Sequence, residues 1–266
     1  MPRVGLGTGG LNGDALQRTI HDAIGAGYTL IDTAEGYGNE AAVGEAIASH
    51  DREDLFLVSK VLPKHLEYES VIGSCNASLE RLGTGYVDLY LIHWPNPAIS
   101  LRETMDAMAT LRATGTARNV GVSNFSAYQL SCAQHVSDVP IAVNQIEFHP
   151  WRQRPDLVEY CRETGVAVQA AAPLARTEVF EDETVVDLAA DYDRPPAQIV
   201  LRWALQRNVA VIPNSATTAH LRANLDVGDW ELDDADCRRL DGADRDHSVY
   251  TLPPTDWTDD AFGIAR

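Results

Sequence analysis

The chain has 266 residues, 45% of them hydrophobic, and a formal net charge of −18. A surface that acidic repels phosphate backbones, which argues against nucleic acid as a partner. No apolar run approaches the ~18 residues of a membrane-spanning helix, which argues against a membrane protein. Of the 21 basic residues only Lys60 and Lys64 are lysines. The hydrophobic fraction is too high for the acid excess to signal disorder. The expectation is instead a halophilic protein in a salt-rich cytoplasm, where at 1 M salt charges are screened over about 3 Å. The N-terminus MPRVGLGTGG lacks the charged and apolar regions of a signal peptide, in line with a cytoplasmic location. Cys75, Cys132, Cys161 and Cys237 form no C-x-x-C pair and have no histidine at ligand spacing, so they read as reduced thiols.

From the N-terminus onward, short runs of β-branched and aliphatic residues recur. They begin at Val4, Tyr28, Leu55, Val87, Arg118, Ile141, Val166 and Val209. Near-continuous apolar runs predict strands covered on both faces, as parallel strands under helices are. Amphipathic segments of helical length lie between them. DALQRTIHDAIGAG opens at Asp14, a suitable N-cap, and stops at glycines; SVIGSCNASLERLG ends at Gly83. LRETMDAMATLRATG ends at Gly115, and PPAQIVLRWALQRN opens on prolines suited to a first helical turn. Strand then helix, eight times over about 250 residues, predicts an α/β fold, a (β/α)8 TIM barrel, as a single domain over residues 1–266. The rival, an open doubly wound sheet, needs a G-x-G-x-x-G turn that opens the first helix. GLGTGG at Gly5 is superficially similar, but the cap at Asp14 comes too late for it.

In such barrels chemistry sits at the C-terminal strand ends. Asp32 and Tyr37 follow the second run, Lys60 ends the third, and His93 and Trp94 the fourth. Ser123 and Asn124 end the fifth, Asn144, Gln145 and Glu147 the sixth, and Asn214 and Ser215 the eighth. Each has a structural alternative: an ion pair for Asp32 and Lys60, a core histidine for His93, a helix cap for Ser123 and Asn124. Gathered at one barrel end they form a polar cluster whose desolvation calls for a functional reason. Tyrosine titrates near 10, and a lysine held by an aspartate beside it favours the phenolate. Tyr, Lys, Asp and His therefore suit a proton donor for a carbonyl that receives a hydride, and since no side chain donates hydride, an organic cofactor is required.

Over nearly its whole length the chain resembles the aldo-keto reductase family, in its 2,5-diketogluconate reductase-like and aldehyde reductase branch. GLGT, IDTAEGYGNE, SK, LGTGYVDLYLIHWP, GVSNF, NQIEFHP, APL and IPNS fall in the family's order and spacing. The resemblance implies a catalytic tetrad of Asp32, Tyr37, Lys60 and His93, with Tyr37 as general acid, and NAD(P)H as cofactor without a metal. It assigns Ser123, Asn124 and Gln145 to the nicotinamide carboxamide. Ala171, Pro173, Leu174, Asn214, Ser215, His220 and Asn224 stand at the family's other cofactor positions. Trp94 would wall the substrate pocket and Glu147 would be structural. The implied substrate is a small aldehyde, 2-oxo aldehyde or keto sugar, and the implied protein a monomer.

Departures from the family pattern sharpen these expectations. Ala171 stands where an aromatic usually stacks on the nicotinamide, which implies a looser fit unless another ring fills the space. Asn214 and His220 replace the lysine and arginine that hold the adenosine 2′-phosphate, and Ala223 replaces a glutamate. Losing two charge-assisted bonds favours NADH or dual use over strict NADPH. Tyr250 and Trp257 are candidate pocket walls in the C-terminal segment. Asn76 matches a glycosylation acceptor but falls inside a predicted helix. A nicotinamide-binding sensor or regulatory subunit without turnover is the alternative from another class. A phosphate-handling barrel isomerase is disfavoured, as no glycine-rich phosphate loop follows the seventh run.

Overall fold

The computed structural model describes residues 1–250; Trp257 lies outside them. Eight parallel strands pair strictly in chain order. They are β1 (Leu6–Gly7), β2 (Leu30–Asp32), β3 (Phe56–Val61), β4 (Leu89–Ile92), β5 (Val120–Ser123), β6 (Ile141–Glu147), β7 (Ala167–Ala171) and β8 (Ala210–Val211). The sheet closes on itself through a parallel bridge between Val4 and Val211, with Gly5 N donating to Val211 O at 2.9 Å and Val211 N to Arg3 O at 2.8 Å. This is the (β/α)8 barrel that the alternating pattern predicts. The connecting helices are α1 (Gly13–Ala26), α2 (Glu40–Ile47), α3 (Tyr68–Leu82), α4 (Leu101–Ala113), α5 (Ala127–Val136) and α6 (Pro155–Glu163). Two helices, α7 (Glu183–Asp191) and α8 (Pro196–Gln206), join β7 to β8, and α9 (Thr218–Leu225) and α10 (Asp234–Asp241) follow.

Helix ends follow local chemistry. Gly27 and Gly83 end α1 and α3 in the left-handed region, at φ 109° and 64°. Ser126 and Gln129 form a capping box at the start of α5, and Pro196 opens α8. One expectation shifts: the N-cap of α1 is Asn12, and Asp14 lies inside the first turn, where its carboxylate meets the positive end of the helix dipole.

Strand periodicity builds the site. Leu30, Val58, Leu89, Leu91, Val143 and Ile212 form a buried apolar cluster separate from the larger core between sheet and helices. Two residues further along several of the same strands, on the same face, stand Asp32, Lys60, His93 and Gln145. The barrel thus has an apolar lower layer and a polar upper layer. Gly121 is needed where the interior is tightest: a Cβ there would lie 2.6 Å from Val143 O and 2.8 Å from Leu91 Cδ2. The β5–β6 register shifts at this point, between Val120 and Val122.

Candidate active site

Asp32, Lys60 and His93 are buried and Tyr37 is half-buried, all at the C-terminal end of the barrel. Lys60 Nζ donates to Asp32 Oδ1 at 2.5 Å, to Thr33 O at 2.9 Å and to Tyr37 Oη at 3.4 Å. Its ammonium therefore links the carboxylate to the phenol. Burial pulls the Lys60 pKa down while Asp32 pushes it back up. The His93 ring meets Tyr37 edge to face, with centroids 5.5 Å apart. Burial, reinforced by the charge on Lys60, pulls His93 well below the usual imidazole value, so His93 is neutral at neutral pH. A neutral imidazole there can donate or accept a hydrogen bond.

The loop after β2 is tied down residue by residue. Asn39 Nδ2 donates to Thr8 O at 3.0 Å and Leu11 O at 2.9 Å, while its Oδ1 accepts from Thr33 Oγ1 at 2.7 Å. Buried Glu40 accepts from Ser59 Oγ at 2.5 Å and from Arg81 at 2.6 and 2.8 Å. Glu35 accepts from Leu62 N at 3.0 Å and lies 2.8 Å from His65 Nδ1. These residues, which the sequence pattern did not single out, hold the loop that presents Tyr37. Opposite them Gly9 faces the Tyr37 ring, where a Cβ would sit in ordinary contact at 3.5 Å from Cζ.

A cavity of about 520 Å³ opens beside Tyr37. Asp32, Gln145, Ala171, Pro173, Leu174 and Asn214 line it, together with Gly7, Gly9, Arg176 and Tyr250. Its volume lies within the range of small-molecule and cofactor sites. Gln145 Nε2 donates to Asp32 Oδ2 at 2.8 Å and to Gln169 Oε1 at 2.7 Å, so buried Gln169 orients it, a role hidden in the seventh apolar run. Ser123 Oγ donates to Gln145 O at 2.8 Å; Asn124 Nδ2 donates to Ser123 Oγ and His93 O, both at 3.0 Å. Of these three residues only Gln145 lines the cavity; Ser123 lies behind it, and Asn124 faces a hollow beside Trp94.

Other predicted positions separate from this cluster. Asn214 Nδ2 donates to Gly9 O at 2.5 Å, which ties the end of β8 to the loop after β1. Ser215, exposed His220 and buried Asn224 do not line the cavity. Trp94 lines an adjoining hollow of about 150 Å³, and Tyr250 borders both spaces. Glu147 is structural: its oxygens accept from Ser248 Oγ at 2.5 Å and Val249 N at 2.7 Å, and His149 Nε2 lies 2.9 Å away. Those bonds hold its carboxyl below the usual range against the upward pull of burial. Among the described residues, no three His, Cys, Asp or Glu side chains are placed to hold a metal, and no helix is long and apolar enough to cross a membrane.

Comparison with known proteins gives one consistent result. Residues 3–245 match the model described as Aldo/keto reductase family. An aldo-keto reductase of Mycolicibacterium paratuberculosis is 42% identical over 235 residues, 87% of this chain and 84% of that protein. The structure of the aldose reductase from Schistosoma japonicum superposes with a TM-score of 0.89 at 30% identity, covering 95% of this chain and 91% of that one. A Bombyx mori aldo-keto reductase in complex with NADP gives 0.88 at 33%, covering 95% and 92%.

Proposed function

Because this chain belongs to the aldo/keto reductase family and is an NAD(P)H-dependent oxidoreductase acting on small carbonyl compounds, we propose that Asp32, Tyr37, Lys60 and His93 are its catalytic tetrad. The observation that carries this reading is the simultaneous contact of Lys60 Nζ with Asp32 Oδ1 and Tyr37 Oη in a buried site. A bound reduced nicotinamide supplies the hydride that goes to the carbonyl carbon. Tyr37 gives its proton to the carbonyl oxygen, Lys60 stabilises the negative charge left on the phenolate, and Asp32 holds Lys60 in place. Neutral His93 donates a hydrogen bond that orients the carbonyl, and Trp94 forms one wall of the substrate site. Tyr37 then recovers its proton from solvent.

Ser123, Asn124 and Gln145 hold the carboxamide in this reading, and Ala171, Pro173, Leu174, Asn214, Ser215, His220 and Asn224 the rest of the dinucleotide. NADH or dual use is favoured over strict NADPH. The Asn214 amide is neutral and already bonded to Gly9 O, and exposed His220 offers no permanent charge to a 2′-phosphate. Similarity to an aldose reductase supports small aldehydes, 2-oxo aldehydes and keto sugars as substrates. We further propose a monomer of a single domain, working in a salt-rich cytoplasm.

A turnover assay tests the reading, with methylglyoxal and glyceraldehyde in molar KCl, NADH against NADPH, and wild type beside Tyr37→Phe. Turnover should fall by at least about 10²-fold in the variant, the contribution of a positioned proton donor, while cofactor binding persists. NADH should support a rate comparable with or above that of NADPH. Equal turnover in Tyr37→Phe would remove the tetrad assignment. Binding of both cofactors without any turnover would favour a sensor.

A further inference from the structure

Glu147 ends β6 at the barrel mouth, only 3% exposed, and its carboxylate is directed at the segment that follows α10. Oε1 accepts from Val249 N at 2.7 Å and Oε2 from Ser248 Oγ at 2.5 Å. Tyr250 N donates in turn to Ser248 Oγ at 3.2 Å, so a continuous run of hydrogen bonds leads from the carboxylate to the backbone of Tyr250. Bonds to an ionised acceptor are stronger than neutral ones. From the other side His149 Nε2 lies 2.9 Å from Oε1 and Arg152 Nε 3.6 Å from Oε2, which fixes the carboxylate itself. The loop between β6 and α6 holds the same segment further upstream. Trp151 O accepts from Arg245 N at 3.2 Å and His247 N at 3.0 Å, and Arg152 Nη1 donates to exposed Asp246 Oδ1 at 2.8 Å. An exposed ion pair of that kind is weak, so the buried Glu147 is the firm anchor nearest Tyr250.

What this anchor places is a ring. Half-buried Tyr250 lines both the cavity beside Tyr37 and the hollow beside Trp94. Among the described residues that line the cavity, Tyr37 and Tyr250 are the only aromatic ones. Across the mouth, the Arg176 guanidinium of the loop between β7 and α7 lies 5.5 Å from the centre of the Tyr250 ring. Burial, with the Tyr37 phenol nearby, pushes the Tyr250 hydroxyl up, so the ring forms a neutral wall.

We propose that Glu147 is a positioning residue that sets size selectivity: by holding Ser248 and Val249 it keeps the Tyr250 ring as a partition between the two spaces, which favours short carbonyls over bulky ones. The proposal rests on the carbonyl-reductase reading and deepens it by naming what limits the substrate. When the anchor is weakened the ring departs and the two spaces join. Short substrates then lose a wall and bulky ones gain room.

Steady-state kinetics on the full chain at one fixed KCl concentration test it, with methylglyoxal as the short substrate and naphthaldehyde as the bulky one. The variants are Glu147→Gln, Ser248→Ala, Tyr250→Ala, and Glu147→Gln combined with Tyr250→Ala. Glutamine keeps the shape of Glu147 but offers one acceptor oxygen in place of two, and Ser248→Ala breaks the same run of bonds from a half-buried position that the barrel does not need in order to fold. Tyr250→Ala should shift the ratio of kcat/KM values towards the bulky substrate by about tenfold or more. Glu147→Gln and Ser248→Ala should shift it the same way by a smaller factor. The combined variant should shift it no further than Tyr250→Ala alone, because Glu147 acts through the ring. Hydrogen exchange at the Val249 and Tyr250 amides should rise by about tenfold in Glu147→Gln and Ser248→Ala, a readout that needs no turnover. An unchanged ratio in Tyr250→Ala, or a lowered thermal midpoint with an unchanged ratio in Glu147→Gln, overturns the proposal, and so do additive shifts in the combined variant. If neither aldehyde is reduced with either nicotinamide, the carbonyl-reductase reading falls first. Exchange then still decides whether Glu147 holds the segment, and unchanged exchange overturns that as well.

Discussion

Lys60 and His93 share one buried layer, and their energies are linked. Removing an ammonium from water costs several kcal/mol, which here is offset by Asp32 at 2.5 Å and the Thr33 carbonyl at 2.9 Å. That retained charge acts on His93, whose pKa is lowered first by burial and then by Lys60. The folded-state value lies below the unfolded value of about 6.5, so the unfolded chain takes up the proton first. Stability from this group is therefore present above about pH 6.5 and falls as pH drops below it, by at most about 1.4 kcal/mol per pH unit. Urea unfolding of wild type and His93→Gln from roughly pH 8 to 5.5 isolates the effect, since the other titrating groups are common to both. Wild type should lose stability relative to the variant on the acid side; parallel curves would show that His93 is not held neutral by the fold.

At the scale of elements, the loop from β7 to α7 carries strain beside the cavity. Ala172, Ala175, Arg176 and Thr177 all have positive φ, from 45° to 75°, and none is glycine. For β-branched Thr177, at φ 75°, that conformation costs about 1–3 kcal/mol, more than the roughly 0.5–1 kcal/mol that glycine loses in chain entropy. Thr177→Gly should accordingly stabilise the protein by about 1 kcal/mol and raise its thermal midpoint. A lowered midpoint would mean that the threonine side chain compensates for its backbone. No sequence signal marks this loop, because Ala, Arg and Thr are not turn formers. Asp32, Lys60 and His93 were legible because a period of two carries each strand-end residue inward, and Tyr37 because its chemistry is distinctive. Gln169 was not, since one glutamine in an alanine-rich run looks like a strand end until Gln145 is found against it. Nothing in the sequence pattern sets Glu35, Asn39 and Glu40 apart as a scaffold, and only their partners across the barrel end reveal one.

At the scale of the whole molecule, the charge balance is set by how the arginines are used. Arg52 and Arg118 both lie against Asp88 and stack on the two sides of the Tyr86 ring, at 4.0 and 3.9 Å. Arg81 pairs with Glu40, Arg207 with Asp241, Arg202 with Glu231 and Arg194 with Asp226. Each of these four pairs cancels one positive and one negative charge, Arg52 and Arg118 share one carboxylate, and with 39 acidic against 21 basic residues a net −18 remains. Mutual repulsion among the excess carboxylates destabilises the compact state at low ionic strength, where the Debye length is about 10 Å at 0.1 M, and is screened near 1 M, where it is about 3 Å. Salt also weakens the arginine–carboxylate pairs, but exposed pairs contribute only about 0–1 kcal/mol each, while repulsion acts among all the unpaired carboxylates at once. Relief of repulsion should therefore dominate, and the urea midpoint should rise steadily from roughly 0.1 M to 2 M KCl. NaCl at matched ionic strength should reproduce most of the rise, because screening depends on charge and concentration more than on ion identity. A midpoint that stays flat or falls would mean that the acid excess is spread too thinly to repel, and the salt-rich setting would lose its physical support.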